Sequence, residues 1–522
     1  MPWRRSQGSG RAMLESDAMI LLHDALLYDG EGREPECGDL LLDGDRIAAV
    51  GIFSAPPSAH IVPLHGLAVA PGFIDLHSHS DAKLLDGDTA KTLQGVTTEL
   101  VGNCGFSAFP DCGCPREVGA YNEGILCDER TYAGAAEFLR EARGSLALAH
   151  VESLVGHGTL RTAALRRNPA LAGEALTAEL CSMLDEALAE GAAGFSSGLM
   201  YAPGATAPLE ELEALCKVVA RRGKLYATHM RTYAAQLVEA VDEQIGLARR
   251  SGCRLQISHL QAVGPANWHR QRAALERIEM AHAEGMEIAF DAYPYLAGST
   301  VLSQLLPQSV WVDGYASYLA SVHDAGARSQ LAEWVRANTA QRWADIHISA
   351  HAPVDNGEDL AGQTVAGYAE RQGISPAEAV LELIERTRGQ IGIVSFNQSE
   401  ENLRESLTHP LSSIVSDGLY SHGTPHPRLY GAFAQFLGHC ARELGWLTLP
   451  EAIRKITSLP ADRMGLRDRG RLAVGCRADL VCFDPQQIAS PATYDAPRAR
   501  PIGIHAVYRN GVEIVAGTHP AG

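Results

Sequence analysis

Pro71-Gly72-Phe73-Ile74-Asp75-Leu76-His77-Ser78-His79-Ser80-Asp81 is an apolar run that stops on two histidines one residue apart. Residues two apart on a strand point the same way, so the imidazoles of His77 and His79 can reach one ion. An isolated His-x-His carries little weight. Set at the end of Pro-Gly-Phe-Ile-Asp, it marks the functional end of a strand, and similar strand ends recur downstream.

Beyond it, short apolar runs alternate with amphipathic helical stretches. The run Leu146 to His150 reads as a strand before a loop. A helix over Leu176 to Glu190 leads to Ala193-Gly194-Phe195, and one over Leu209 to Arg222 leads to Leu225 to Thr228. Ala234 to Arg250 precedes Leu255 to Ser258, and Ala273 to Gly285 precedes Ile288 to Phe290. Sustained βα alternation predicts an α/β fold, a (β/α)8 TIM-like barrel over residues 71–468. Residues 310–390 read as a mostly helical insertion, part of it a lid.

The chain ends follow another rhythm. Residues 20–70 alternate β-like runs with turns, including Ile20 to Leu27, Asp39 to Leu42 and Arg46 to Val50, the last two split by Asp43-Gly44-Asp45. Residues 469–522 hold Asp479 to Phe483 and Ile504 to Val507, and Asn510-Gly511 signals a hairpin into Val512 to Val515. Neither piece has enough strands to stand alone, so both ends are expected to build one small β-sandwich domain.

Composition narrows the class. The 522 residues carry 62 acidic and 44 basic side chains, a formal charge of −18. That balance disfavours a nucleic-acid or anionic-membrane partner. No apolar run reaches the roughly 20 residues that span a bilayer. Residues 1–19 are polar and lack the apolar stretch of a secretory signal. They read as a disordered extension, with Met13 and Met19 as further candidate starts, and a cytoplasmic location is expected. The 11 cysteines are scattered, as in a reducing compartment. Cys112 and Cys114 lack a second pair at zinc-finger spacing.

Cys104 differs. It ends the run Gly95 to Val101 within Gly102-Asn103-Cys104-Gly105, on the strand after the His77/His79 strand. A thiolate is a good zinc ligand. Leu225-Tyr226-Ala227-Thr228-His229 and Leu255-Gln256-Ile257-Ser258-His259 are two further short strands, one βα unit apart, each closing on a histidine. Ser413-Ile414-Val415-Ser416-Asp417 brings a carboxylate to the end of a late strand. Together these residues suggest a zinc hydrolase: the ion acidifies a bound water and polarises a carbonyl, and Asp417 takes the proton and passes it to the leaving amine. Gly194-Phe195-Ser196-Ser197-Gly198 matches the letters of a serine-hydrolase elbow, but Pro203 and Gly204 follow closely, so a loop rather than an elbow helix is expected there.

These motifs, with DAYPYLAGST, HPRLYGAF and the C-terminal GRLAVGCRADLVCFDP, resemble the D-aminoacylase (N-acyl-D-amino-acid deacylase) branch of the amidohydrolase superfamily over nearly the whole chain from about residue 20. The resemblance implies hydrolysis of small N-acylated D-amino acids or related D-amino-acid amides. It implies a tight zinc on Cys104, His229 and His259, and a second, weaker metal position at His77 and His79 with Asp417 nearby. Substrate contacts are implied at Tyr201, Tyr293, Ser299 and Arg428, with His157 a further candidate. One position departs from the pattern: Gln261 stands where relatives commonly have a lysine that meets the substrate carboxylate. Two other readings stay open. One is cyclic amide hydrolysis of the hydantoinase or dihydroorotase kind, against which Cys104 and the Ser196–Tyr201 segment argue. The other is a metal-free scaffold, which should have lost ligands.

Overall fold

The computed structural model describes residues 19–113, 130–145, 148–311, 315–355, 357–421 and 423–516. Most of the expected N-terminal extension, and Cys114, lie outside them.

Five strands open the chain: β1 (Ile20–Leu27), β2 (Glu36–Asp43), β3 (Arg46–Gly51), β4 (His60–Pro63) and β5 (Ala68–Pro71). Seven parallel strands follow: β6 (Phe73–Asp75), β7 (Val96–Val101), β8 (His150–Gly156), β9 (Gly194–Gly198), β10 (Leu225–His229), β11 (Arg254–Ile257) and β12 (Ile288–Ala292). Strands β13 (Ala297–Val301), β14 (Ile346–His351) and β15 (Ile391–Phe396) belong to an insert, and the barrel resumes with β16 (Ser412–Ile414). Strands β17 (Leu480–Phe483), β18 (Ile504–Arg509) and β19 (Val512–Ala516) end the described chain.

The sheet order β6-β7-β8-β9-β10-β11-β12-β16 follows the sequence, and every pairing is parallel. The two edges meet beyond the regular strands. Ser78 bridges Gly418 in parallel, and the Asp417 N–H donates to the His77 carbonyl at 2.9 Å. This closes a (β/α)8 barrel. Its interior is filled, not hollow: Leu76, Leu100, Leu154, Leu225, Ala227 and Val415 form one buried cluster, and truncating such a leucine to alanine costs about 2–5 kcal/mol.

The helices pack outside for reasons visible in the sequence. Leu237–Ser251 buries Leu237, Val241, Ile245 and Ala248, a three- and four-residue spacing that makes one apolar stripe. It ends at Gly252, whose φ of 74° suits glycine and whose N–H caps the Ala248 carbonyl. The first and last described strands come together as expected. Strands β1–β5 and β17–β19 share one hydrogen-bonded sheet, β5 pairing with both β1 and β17, over a core that includes Leu22, Leu40, Val69 and Leu480.

Two details differ from the sequence reading. The third barrel strand is β8, which starts at His150, the last residue of the expected run, whose Leu146 and Ala147 lie outside the described residues; its last four residues, Ser153–Gly156, are buried and occupy the wall between β7 and β9. The insert is not only helical. Helices Tyr315–His323, Ala325–Asn338, Val365–Gln372 and Pro376–Arg386 accompany an antiparallel sheet in the order β13-β15-β14. Helices and sheet share a core of their own, with Trp311, Tyr318, Val335, Tyr368 and Ile393. No helix among the described residues is long and apolar enough to cross a membrane.

Candidate active site and metal centre

Six side chains from five barrel strand ends converge at the C-terminal face of the barrel. Cys104 Sγ lies 3.3 Å from His77 Nε2 and 3.8 Å from both His229 Nδ1 and His259 Nε2. His229 Nδ1 and His259 Nε2 are 3.0 Å apart. On the other side, His77 Nε2 is 3.3 Å from His79 Nε2 and 3.3 Å from Asp417 Oδ1, and His79 Nε2 is 3.1 Å from that oxygen. All six residues are buried.

These spacings fit a metal centre. Zn–S and Zn–N bonds of about 2.3 and 2.0–2.1 Å at tetrahedral angles put neighbouring ligand atoms roughly 3.3–3.6 Å apart. The Cys104–His229–His259 triangle, with edges of 3.8, 3.8 and 3.0 Å, lies close to that. So do the groups His77–Cys104–His259 and His77–His79–Asp417, whose ligand atoms lie within 4.8 Å of one another. His77 lies within reach of both sides of the cluster. Thiolate, imidazole and carboxylate together are a zinc-type donor set.

The backbone is bent to make this cluster. Cys104, His259 and Asp417 have φ of 52°, 33° and 47°, a region that costs non-glycine residues energy and collects at functional sites. The small residues around Cys104 have a steric reason. A Cβ on Gly198 would stand 1.9 Å from the Cys104 carbonyl oxygen, and one on Gly156 2.6 Å from the Gly105 backbone. The Cys104 loop can sit over β8 and β9 only because these positions are glycine.

Carboxylates beneath the cluster orient it. Asp291 Oδ1 lies 3.2 Å from His77 Nδ1 and accepts the His259 N–H at 2.7 Å, while its Oδ2 accepts from Gln256 Nε2 at 2.9 Å. This turns His77 Nε2 toward the cluster, as an outer-shell carboxylate does for a ligating histidine. Lys91 is buried between Asp75 and Glu99 at 2.9 and 2.8 Å. Glu99 also accepts from Ser78 and Ser80 at 2.7 and 2.8 Å, and Asp75 from Ser416 Oγ at 2.6 Å. The network ties the His77/His79 segment to the Asp417 segment. Tyr233 supports the other side, its ring 5.1 Å from both the His229 and His259 rings. Sequence reasoning passed over Asp291, Lys91, Glu99 and Tyr233. Asp291 alone had a signal of the kind used for Asp417, an acid at the end of an apolar strand.

Burial sets the protonation of the cluster. It pushes His79 and His259 down to about 4 and His229 well below the usual imidazole range, which leaves neutral rings able to bind metal. For His77 burial acts the same way, but Cys104, Asp417 and Asp291 outweigh it and hold the ring well above 6.5. Burial would raise Asp417; Arg428 and His77 outweigh it, and the carboxyl stays well below the usual range.

A cavity of about 850 Å³ opens over the cluster. His79, Cys104, His229, His259 and Asp417 reach its wall, as do Tyr201, Gln261, Tyr293, Ser299 and Arg428. Arg428 Nη1 lies 2.9 Å from Asp417 Oδ2, its Nη2 donates to the Ser299 carbonyl at 3.3 Å, and its guanidinium sits 4.6 Å over the Tyr293 ring. The Tyr293 hydroxyl donates to Gln261 at 3.1 Å. His157 is the exception. It begins the helix His157–Arg167, is fully buried, and holds Glu211 at 2.8 Å, away from the cavity wall. Its expected contact with substrate is not supported by this position. Ser196, in the elbow-like stretch, lies on β9 and donates to the Gly102 carbonyl, supporting the Cys104 loop; a loop follows Gly198 before the next helix, as expected.

The amidohydrolase family model matches residues 60–515. The chain belongs to the amidohydrolase family. It is 36% identical to D-aminoacylase of Alcaligenes xylosoxydans xylosoxydans over 96% of both chains. The crystal structure of N-acyl-D-glutamate deacylase from Bordetella bronchiseptica, complexed with zinc and a phosphonate mimic of the tetrahedral intermediate, superposes with a TM-score of 0.81. The two chains share 33% identity over 97% of this chain and 100% of the other. L-hydantoinase of Arthrobacter aurescens shares the fold alone, at 16% identity and a TM-score of 0.55 over 96% and 97% of the two chains.

Proposed function

We propose that this protein is a zinc-dependent deacylase that hydrolyses the linear amide of N-acyl-D-amino acids or related D-amino-acid amides. The observation that carries the reading is the convergence of Cys104, His77, His79, His229, His259 and Asp417, all but His77 reaching the wall of one cavity. In this reading Cys104, His229 and His259 hold the tight zinc, and His77 and His79 with Asp417 form a second position. When bound, zinc supplies Lewis acidity, polarising the amide carbonyl and making water easier to deprotonate.

The chain's own residues do the rest. An Asp417 carboxylate oxygen accepts the proton of the attacking water and returns it to the leaving amine nitrogen. Its burial beside His77 and His79 supports that role. Arg428, with Nε unpartnered and one face over Tyr293, is the receiver for the substrate carboxylate. Tyr201, Tyr293, Ser299 and Gln261 border the same space. Cyclic amide opening is the weaker reading, since the hydantoinase likeness extends only to fold. The test is amine release by the zinc-loaded protein from paired D and L N-acyl amino acids and from hydantoins. Hydrolysis of the L series or hydantoins alone would overturn the proposal.

A further inference from the structure

The cavity offers a place for one carboxylate and none for a second. Among the described residues two guanidinium groups and no lysine reach its wall. Arg231 is already engaged by the protein: its Nε pairs with Glu243 at 3.0 Å, which balances its charge, and Nη1 and Nη2 each donate one hydrogen bond, to the Ala205 and Ala207 carbonyls at 2.8 and 3.0 Å. Arg428 is the other, shared with Asp417 and with Nε still unpartnered. Its position beside Asp417 suits a carboxylate next to the scissile amide, not one at the tip of a side chain.

Neutral amides stand where further cations could be. At the inner end, Asn397 Nδ2, Gln261 Nε2 and the Tyr293 hydroxyl converge on Gly298, lying 3.2, 4.0 and 3.0 Å from where its Cβ would be. Asn397 Oδ1 and Ser395 Oγ, on the same wall, are buried without a hydrogen-bond partner. Gln304 and Gln308 are fixed by donating to the Tyr201 hydroxyl at 3.1 Å and the Met200 carbonyl at 2.6 Å, and Asn338 and Gln341 line the same cavity. A carboxamide offers a donor and an acceptor together, which is what a peptide group needs in return. An ionised side chain entering here would lose its water with no opposite charge to replace it. Size points the same way. The roughly 850 Å³ cavity lies in the upper part of the range of about 300–1,000 Å³ typical of drug-sized ligand sites. A single acetylated amino acid would leave much of it empty.

We infer that the substrate, apart from the one carboxylate that meets Arg428, is neutral and amide-bearing and is larger than one acetylated residue: a short peptide containing the D-residue whose amide is cut. N-acyl derivatives of acidic amino acids are poor substrates. The inference rests on the deacylase reading above and narrows it.

Zinc-loaded wild-type protein is assayed on N-acetyl-D-glutamine, on N-acetyl-D-glutamate, and on N-acetyl-D-glutamine extended by one L-alanine on its acyl side or on its carboxyl side. The expected result is a kcat/KM about a hundredfold or more higher for glutamine than glutamate, from the uncompensated charge. At least one extended compound should exceed N-acetyl-D-glutamine by about tenfold, since contacts remote from the reacting bond can be used in the transition state. Glutamate equal to or better than glutamine overturns the charge argument; no gain on extension overturns the size argument. Calorimetric binding of the same four compounds to the metal-free chain makes the same comparison without turnover. Binding in the expected order with no hydrolysis would support this inference while defeating the deacylase reading.

Discussion

Arg428 Nη1 lies 2.9 Å from Asp417 Oδ2, and both side chains are almost fully withdrawn from solvent. The pair joins the base proposed for the reaction to the group proposed to hold the substrate carboxylate. Replacing Arg428 with methionine leaves a buried carboxylate without its cation, a change that costs about 3–5 kcal/mol in such sites. We expect Arg428→Met to lower the thermal midpoint and to reduce kcat/KM on an N-acetyl-D-amino acid about a hundredfold or more. Arg428→Lys should recover only part, because an ammonium does not reproduce the fork that reaches Asp417 and the Ser299 carbonyl together. Wild-type stability and KM in Arg428→Met would remove the arginine from both roles.

Asp417→Asn tests the base directly. The amide keeps the size of the carboxylate but cannot take a proton, so turnover should fall about 10²–10⁴-fold. Zinc held by Cys104, His229 and His259 should remain, and elemental analysis of the purified variant checks that. Activity close to wild type would take Asp417 out of the mechanism.

Cys104 touches three of the four cluster histidines, at 3.3, 3.8 and 3.8 Å, so its loss should affect metal binding before anything else. Cys104→Ser is expected to lower zinc content after dialysis against a chelator. His79→Ala, whose ring lies on the Asp417 side, should retain the tight zinc. Equal zinc retention in Cys104→Ser and wild type would move the tight position elsewhere in the cluster.

Much of this site was legible because it is local. His77, Cys104, His229 and His259 each end or closely follow a short buried strand, and the βα period puts such ends on one face. The supporting carboxylates were not legible for the opposite reason. Lys91 meets Asp75 and Glu99 in the folded barrel, and nothing in the local pattern distinguishes such a lysine from a solvated one. His157 was expected only from the likeness of its segment, Leu154-Val155-Gly156-His157-Gly158, to the family, and no residue near it in the sequence says what its ring meets. The partner that holds its ring, Glu211, lies on the helix Leu209–Arg221, beyond the next strand, β9. The insert sheet was missed because its strands are far apart in the chain: β15 pairs with β13 and β14 across the helices that separate them.

A pH effect should arise away from the active site. Lys455 is buried, with Nζ donating to the Ser412 carbonyl at 3.1 Å and Ser412 Oγ at 2.9 Å and also to the His409 carbonyl. Burial pushes it down to about 7 from 10.5. Between those values the unfolded chain binds the extra proton, so this residue makes stability rise as pH climbs from about 7 toward 10.5. Denaturant unfolding of wild type and Lys455→Met at pH 7 and pH 9.5 reads the difference. The wild type should gain relative to the variant at the higher pH; a constant gap would mean that the lysine is charged throughout in the native state.

Gln261 bears on the choice between a free carboxylate and its amide. Its amide accepts from the Tyr293 hydroxyl at 3.1 Å and lines the cavity, but as a neutral group it cannot add charge to carboxylate binding. Arg428 remains as the cation, and it is already engaged with Asp417. Selection for a free α-carboxylate should therefore be weaker than where two cations share the anion. The measurement is kcat/KM for an N-acetyl-D-amino acid beside its carboxamide, and we expect the acid to be favoured by well under about a thousandfold, or roughly 4 kcal/mol. A preference for the acid beyond that value would mean that Arg428 alone discriminates fully. Gln261→Lys carries the complementary expectation: the added ammonium should increase the preference for the acid over the amide, through KM more than kcat, because the charge is felt in the ground state as well as the transition state.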